Sequence, residues 1–203
     1  MRGLYEVTKR YGAHTVLSHF TLELPETGGV CLFGPSGCGK TTALRILCGL
    51  EKPDAGSVKG METLRIACQF QEDRLLPFYT VRRNLALILP DALPLRSREA
   101  EAEAWLARVG LSDAGDKLPG ELSGGMRRRA SLARALMFGG DVLVMDEPLK
   151  ELDDAMRRRM LELIAENLPG RTAVLVTHSR EEAERLGLAI VRMPAGWEAG
   201  ERA

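Results

Sequence analysis

Residues 30–47 read "VCLFGPSGCGKTTALRIL". An apolar run ends at Phe33, three glycines follow within six residues, and a helical pattern starts at Lys40. The run is short and continuous, as suits a strand buried on both faces. The loop fits G-x-x-x-x-G-K-[ST] over residues 34–41, and strand before and helix after are the context that gives the motif meaning. Gly34, Gly37 and Gly39 let the backbone curl so that its N–H groups converge on an anion. The helix N-terminus adds roughly 0.3–1 kcal/mol for negative charge. Lys40 supplies a point charge for the β- and γ-phosphates, and the Thr41 hydroxyl is placed to ligate Mg²⁺.

A second apolar strand, "VLVMDEP" (142–148), ends in two acids. Asp146 is placed to hold Mg²⁺ through water. Glu147, one residue on, points a carboxylate at an attacking water. "AVLVT" (173–177) is a further buried run, and "TVLSHFTLEL" (15–24) alternates through Val16, Phe20, Leu22 and Leu24 as a half-buried strand does. Helical stretches separate them. Thr41 to Leu50 puts Leu44, Leu47 and Leu50 on one stripe. Asp153 to Leu168 carries Met156, Met160, Leu163 and Ile164 at helical spacing, and Ser179-x-x-Glu182 is a capping box. Alternating strands and helices imply an α/β fold with a mostly parallel sheet. Residues 72–121 hold two helical patterns, near 80–89 and 98–109, and read as an inserted helical lobe. One domain of 203 residues follows: about 1–71 and 122–193 form the nucleotide-binding core, and 194–203 a polar tail.

Composition excludes other classes. Lys plus Arg and Asp plus Glu both number 28. A net charge of zero argues against a nucleic-acid binder, which depends on clustered positive charge. Cys31, Cys38, Cys48 and Cys68 fall singly, so reduced thiols are expected rather than a disulfide framework or zinc site. No apolar stretch reaches the about 18 residues that span a bilayer. The N-terminus has no apolar core and does not read as a signal peptide.

Residues 122–126, "LSGGM", open another helix as an anion-holding N-terminus would. With "GPSGCGKTT" and "VLVMDEP" they make the chain resemble the ATP-binding cassette (ABC) ATPases over roughly residues 3–193. That resemblance implies a P-loop core with a trimmed antiparallel β lobe (residues 51–71 are short for it) and the inserted helical lobe. It implies ATP and Mg²⁺ as cofactors. Gly34, Pro35, Ser36, Gly37, Cys38, Gly39, Lys40, Thr41 and Thr42 would grip the phosphates, with Thr41, Gln71 and Asp146 around the metal. Glu147 would be the general base, with Lys40 and His178 assisting at the γ-phosphate. Tyr11, 23 residues before Gly34, matches an aromatic that stacks on adenine. Ser123, Gly124 and Gly125 match signature residues that bind the γ-phosphate of an ATP held by another cassette, so two subunits would pack head to tail. Asp153 matches an aspartate of the loop following the catalytic acids.

"QEDRLLPFYTVRRNLAL" (71–87), with the Met after the signature glycines, looks like the nitrate, sulfonate and taurine importer ATPases. This implies membrane permease subunits as partners, an extracytoplasmic binding protein, a second copy or paralogous ATP-binding subunit, and a cytoplasmic place at the membrane's inner face. Leu75, Leu76, Pro77, Phe78 and Tyr79 are candidate contacts for a permease helix. The alternative is a soluble ABC ATPase without a channel, for example in metal-cluster assembly. The triplets Arg127–Arg129 and Arg157–Arg159 read as solvated helix faces, and Trp105 and Trp197 carry no readable chemistry. "LKELDD" (149–154) departs from the family, because Glu151 puts a charge where dimer halves pass closely. The chain stops soon after "AIVRM", so no C-terminal regulatory domain is expected.

Overall fold

The computed structural model describes residues 1–197. Of the polar tail, residues 198–203 lie outside the described residues. Two compact units divide the chain.

The first unit comprises residues 1–68, 140–147 and 168 onward. Its strands β3 (Gly28–Phe33), β6 (Val142–Asp146), β7 (Thr172–Val176) and β8 (Ala189–Arg192) belong to a five-stranded sheet. With β5 (Ile66–Gln69) at one edge, the order is β5-β6-β7-β3-β8. β3 and β6 both run parallel to β7, with Val30 and Val144 opposite Val174. Every residue of β6 and β7 is buried, so the runs are apolar throughout rather than alternating. α1 (Lys40–Leu47) leaves the end of β3, and Ala43, Leu44, Ile46 and Leu47 sink its inner face into the core. The helix ends earlier than its leucine stripe suggests. Gly49 takes φ 70°, the left-handed turn that commonly ends a helix, and Leu50 lies 58% exposed beyond it.

A three-stranded antiparallel sheet, β2-β1-β4, is the trimmed β lobe: β1 (Gly3–Tyr11), β2 (His14–Glu23) and β4 (Ala55–Lys59). β1 is not visible as alternation because it is bulged. Glu6 has φ 50° and the pairing slips between Leu4 and Val7, so the two buried residues stand three apart rather than two. His19, with φ 49°, does the same in β2. Its buried residue before the bulge is Leu17, and Val16 is only half-buried.

The second unit, residues 69–139 and 148–167, is helical. It holds α2 (Val81–Ala86), α3 (Leu95–Arg108), α4 (Gly124–Phe138) and α5 (Asp154–Glu166). It takes in more chain than residues 72–121, because α4 packs against α2 and α3. The arginine triplets explain part of this: Arg158 is exposed as on a solvated face, but Arg128, Arg129 and Arg159 are tied to backbone carbonyls. Arg129 donates to the carbonyls of Val109 (2.6 Å) and Gly110 (2.9 Å). Arg159 donates to those of Ala107 and Arg108. Buried Arg128 reaches the Phe70 carbonyl and Asp73. The guanidiniums satisfy carbonyls at the end of α3 and in the loop before α2.

Among the described residues no helix is long and apolar enough to cross a membrane.

Candidate functional site

The loop between β3 and α1 is shaped by what its glycines exclude. A Cβ on Gly39 would lie 2.6 Å from the Val16 carbonyl, and Gly39 also has φ 99°. Gly34 is equally closed: a Cβ there would meet the Met193 carbonyl at 2.8 Å and Cys38 Sγ at 2.9 Å. Gly39 caps α1 without any side chain, so the first-turn N–H groups point at whatever sits before the helix. Lys40 is buried and folds back, donating through Nζ to the carbonyls of Gly34 (2.8 Å) and Pro35 (2.7 Å). Its charge is thereby held over the loop. Pro35, Ser36, Gly37, Cys38 and Thr42 complete the curl and the first turn.

The parallel sheet brings the acids to the same place. Asp146 ends β6 opposite Val176. It is buried, and its Oδ2 accepts from the Thr41 hydroxyl at 2.7 Å. Two hard oxygens lie side by side, the sparse set that Mg²⁺ uses together with phosphate oxygens and water. Thr41 and Asp146 thus fit the ion. Glu147 turns away at φ 49°, and its N–H donates to the Val176 carbonyl (2.9 Å). This sets its Oε1 2.9 Å from His178 Nε2. The imidazole, just past the end of β7, is half exposed while the carboxylate is largely covered. A carboxylate held by an imidazole at the mouth of a phosphate loop can orient a water and take its proton. Behind His178 the Ser179 hydroxyl accepts from Glu182 N–H, and the return half of the capping box is relayed: Ser179 N–H donates to Thr177 Oγ1, and the Thr177 hydroxyl donates to Glu182.

Tyr11 ends β1. Its hydroxyl donates to Glu51, and Lys9 Nζ lies 5.5 Å from the ring centroid. Burial first, then the Glu51 carboxylate, pushes the phenol above its ordinary range. A cavity of about 530 Å³ opens between Ala13, the start of β2 (His14 to Val16), Gly37 and Trp197. Trp197 gains a role that its sequence position hid. Its indole N–H donates to the Cys38 carbonyl at 2.9 Å, and its ring meets Phe20 edge-on at 5.7 Å. No local signal could have found this contact between residues 159 apart.

The remaining candidates belong to the second unit. Ser123 caps α4, its hydroxyl accepting from Met126 N–H at 3.3 Å. Gly124 and Gly125 form the first turn. Asp153 caps α5, accepting from Met156 N–H at 2.9 Å. Gln71 is exposed at the start of the loop leading to α2. Glu151 has φ 66°, and its carboxylate stands against Gly124.

Residues 17–150 match the family model described as ABC transporter. The chain is 41% identical to an aliphatic sulfonates import ATP-binding protein of Rhizobium johnstonii, covering 93% of this chain and 71% of that protein. It is 40% identical to a Fe(3+) ions import ATP-binding protein of Brucella abortus, over 94% of this chain but only 57% of the relative. Among solved structures it is similar to the dimeric post-hydrolysis state of the ATP-binding cassette MJ0796 bound to ADP and Pi. The TM-score is 0.86 at 27% identity, covering 95% of this chain and 94% of that one.

Proposed function

The chain belongs to the ABC transporter family as one of its ATP-hydrolysing cassettes, and on that premise we propose that it powers an importer as a dimer on separate permease subunits. The observation that carries the reading is the doubled contact at the ends of β6 and β7. Thr41 meets Asp146 at 2.7 Å and Glu147 meets His178 at 2.9 Å, both beside a loop whose path requires glycine at positions 34 and 39.

The loop amides and Lys40 bind and orient the triphosphate, which is most of the work in phosphoryl transfer. Thr41 and Asp146 would hold Mg²⁺, which when bound neutralises phosphate charge. Glu147 orients the attacking water and accepts its proton at a carboxylate oxygen, with His178 fixing the carboxylate. Ser123, Gly124 and Gly125 receive the γ-phosphate of an ATP bound to the second copy, which gives the chain its two phosphate grips. The import-protein relatives favour an importer, and the dimeric relative bound to ADP and Pi favours a dimer. The apolar loop at Leu76, Phe78 and Tyr79 is the surface for the permease.

The test is ATP binding and hydrolysis across protein concentration, with Lys40→Ala as control. The expected results are specific activity that rises with concentration and a lysine variant that loses ATP affinity. Full activity in a strictly monomeric sample, or unchanged affinity in the variant, would overturn the reading.

A further inference from the structure

Cys48 and Cys68 are 20 residues apart in sequence, yet their sulfurs lie 3.3 Å from one another. Both thiols are free and only half-buried, whereas Cys31 and Cys38 are buried. Each sits on a fixed element. Cys48 is the C-terminal cap of α1, its N–H donating to the Leu44 carbonyl. Cys68 lies in β5, whose entry is anchored: Arg65 N–H donates to Asp141 (2.8 Å), and Val142 N–H donates to the Arg65 carbonyl (3.2 Å). A disulfide needs a sulfur separation of about 2.05 Å, so the two sulfurs have only about 1.2 Å to close from their present contact.

We propose that Cys48 and Cys68 form a dithiol site that closes to a disulfide on reaction with a low-molecular-weight disulfide such as oxidised glutathione. The Cys68 thiolate attacks one sulfur of the reagent. The reagent's S–S bond breaks, and one glutathione leaves as thiolate and takes up a proton. Cys48 loses its proton to solvent and attacks the Cys68 sulfur, and the second glutathione leaves. Two protein thiols are oxidised to one disulfide while one glutathione disulfide is reduced to two thiols. The order of attack follows from the shared hydrogen bond. Cys48 holds the Cys68 thiol below its ordinary range, and the same bond, with burial, pushes Cys48 up. Cys31 is unreactive by comparison, since burial raises it to about 11. The pair lies at the opposite end of α1 from Lys40, about 12 Å away along an eight-residue helix. The bond therefore ties α1 to β5 without entering the phosphate loop.

The experiment treats the full chain with oxidised glutathione, titrates free thiols and maps cross-linked peptides by mass. The expected result is the loss of two thiols, one peptide pair joined through Cys48 and Cys68, and full recovery with dithiothreitol. Cys48→Ser, which keeps a hydrogen-bonding partner but no resolving sulfur, should trap a stable glutathione adduct on Cys68, and Cys68→Ala should leave Cys48 unmodified. ATP binding should survive oxidation in the wild type. The proposal falls if all four thiols still titrate, or if an unresolved adduct persists on wild-type Cys68. It falls equally if the modified residue is Cys38 and ATP binding is lost. The wild-type peptide map decides even if a variant fails to fold.

Discussion

Glu151 Oε2 occupies the space in front of Gly124: a methyl group built on that glycine would lie 2.9 Å from the carboxylate oxygen. In a dimer of the kind proposed, this is where the neighbouring copy's γ-phosphate arrives. A carboxylate there repels it and must swing out as the halves close. Two unit charges about 4 Å apart in water cost about 1 kcal/mol, which is roughly fivefold in an equilibrium. Glu151→Asn removes the charge and tolerates the left-handed backbone at φ 66°. It should tighten ATP-dependent dimerisation roughly fivefold. Sedimentation across ATP concentration measures this, and an unchanged dimer constant refutes the obstruction.

Glu147 is presented by strain as well as by sequence. Its φ of 49° is rare for a residue with a Cβ and marks a position held by its surroundings. Glu147→Gln keeps shape and hydrogen bonding but cannot take a proton. Single-turnover hydrolysis should fall by about 10²–10⁴-fold, while ATP affinity stays as it was. His178→Ala should slow the same step, since the 2.9 Å contact is what aims the carboxylate. Near-normal turnover in Glu147→Gln would remove the base from the mechanism.

The parts of this site legible in the sequence are those whose geometry is local. Residues 30–47 spell strand, loop and helix in consecutive order, and Asp146 and Glu147 follow a strand that must be buried. β1 was illegible because the bulge at Glu6 spaces Leu4 and Val7 as a helix would. Within the arginine triplets Arg129 and Arg159 misled because charge predicts solvation, whereas here carbonyls three-dimensionally adjacent but far in sequence take their guanidiniums. The meeting of Cys48 with Cys68 and of Trp197 with Cys38 is created by the tertiary fold alone.

Trp197 tests how much the phosphate loop depends on that tertiary support. Its N–H is the donor to the Cys38 carbonyl, and the peptide so held continues into Gly39 at the head of α1. Trp197→Phe keeps an aromatic against Phe20 and deletes the donor. A net hydrogen bond is worth about 1 kcal/mol, so ATP affinity should weaken roughly fivefold with little change in kcat. Isothermal titration reads the affinity. A fall in kcat with affinity intact would place the residue elsewhere in the cycle.

The proposed permease surface rests on a loop held by a buried side chain. Asn84 is buried and ties residues 76–80 together: its Oδ1 accepts from Leu76 N–H (2.6 Å), and its Nδ2 donates to the carbonyls of Leu76, Tyr79 and Thr80. Phe78 is consequently 91% exposed, and Leu76 and Tyr79 are each 45% exposed. Apolar side chains held in water by a satisfied polar clamp indicate a face awaiting a partner. Leu76→Asp and Phe78→Asp should leave the melting temperature within about 2 °C, because surface changes cost little. They should also leave basal ATP hydrolysis intact and abolish capture by the permease subunits. Asn84→Ala orphans several backbone groups at about 1–3 kcal/mol, so it should lower stability and permease capture together. If the aspartate variants were captured as well as the wild type, the coupling surface would have to lie outside this loop, whatever its exposure.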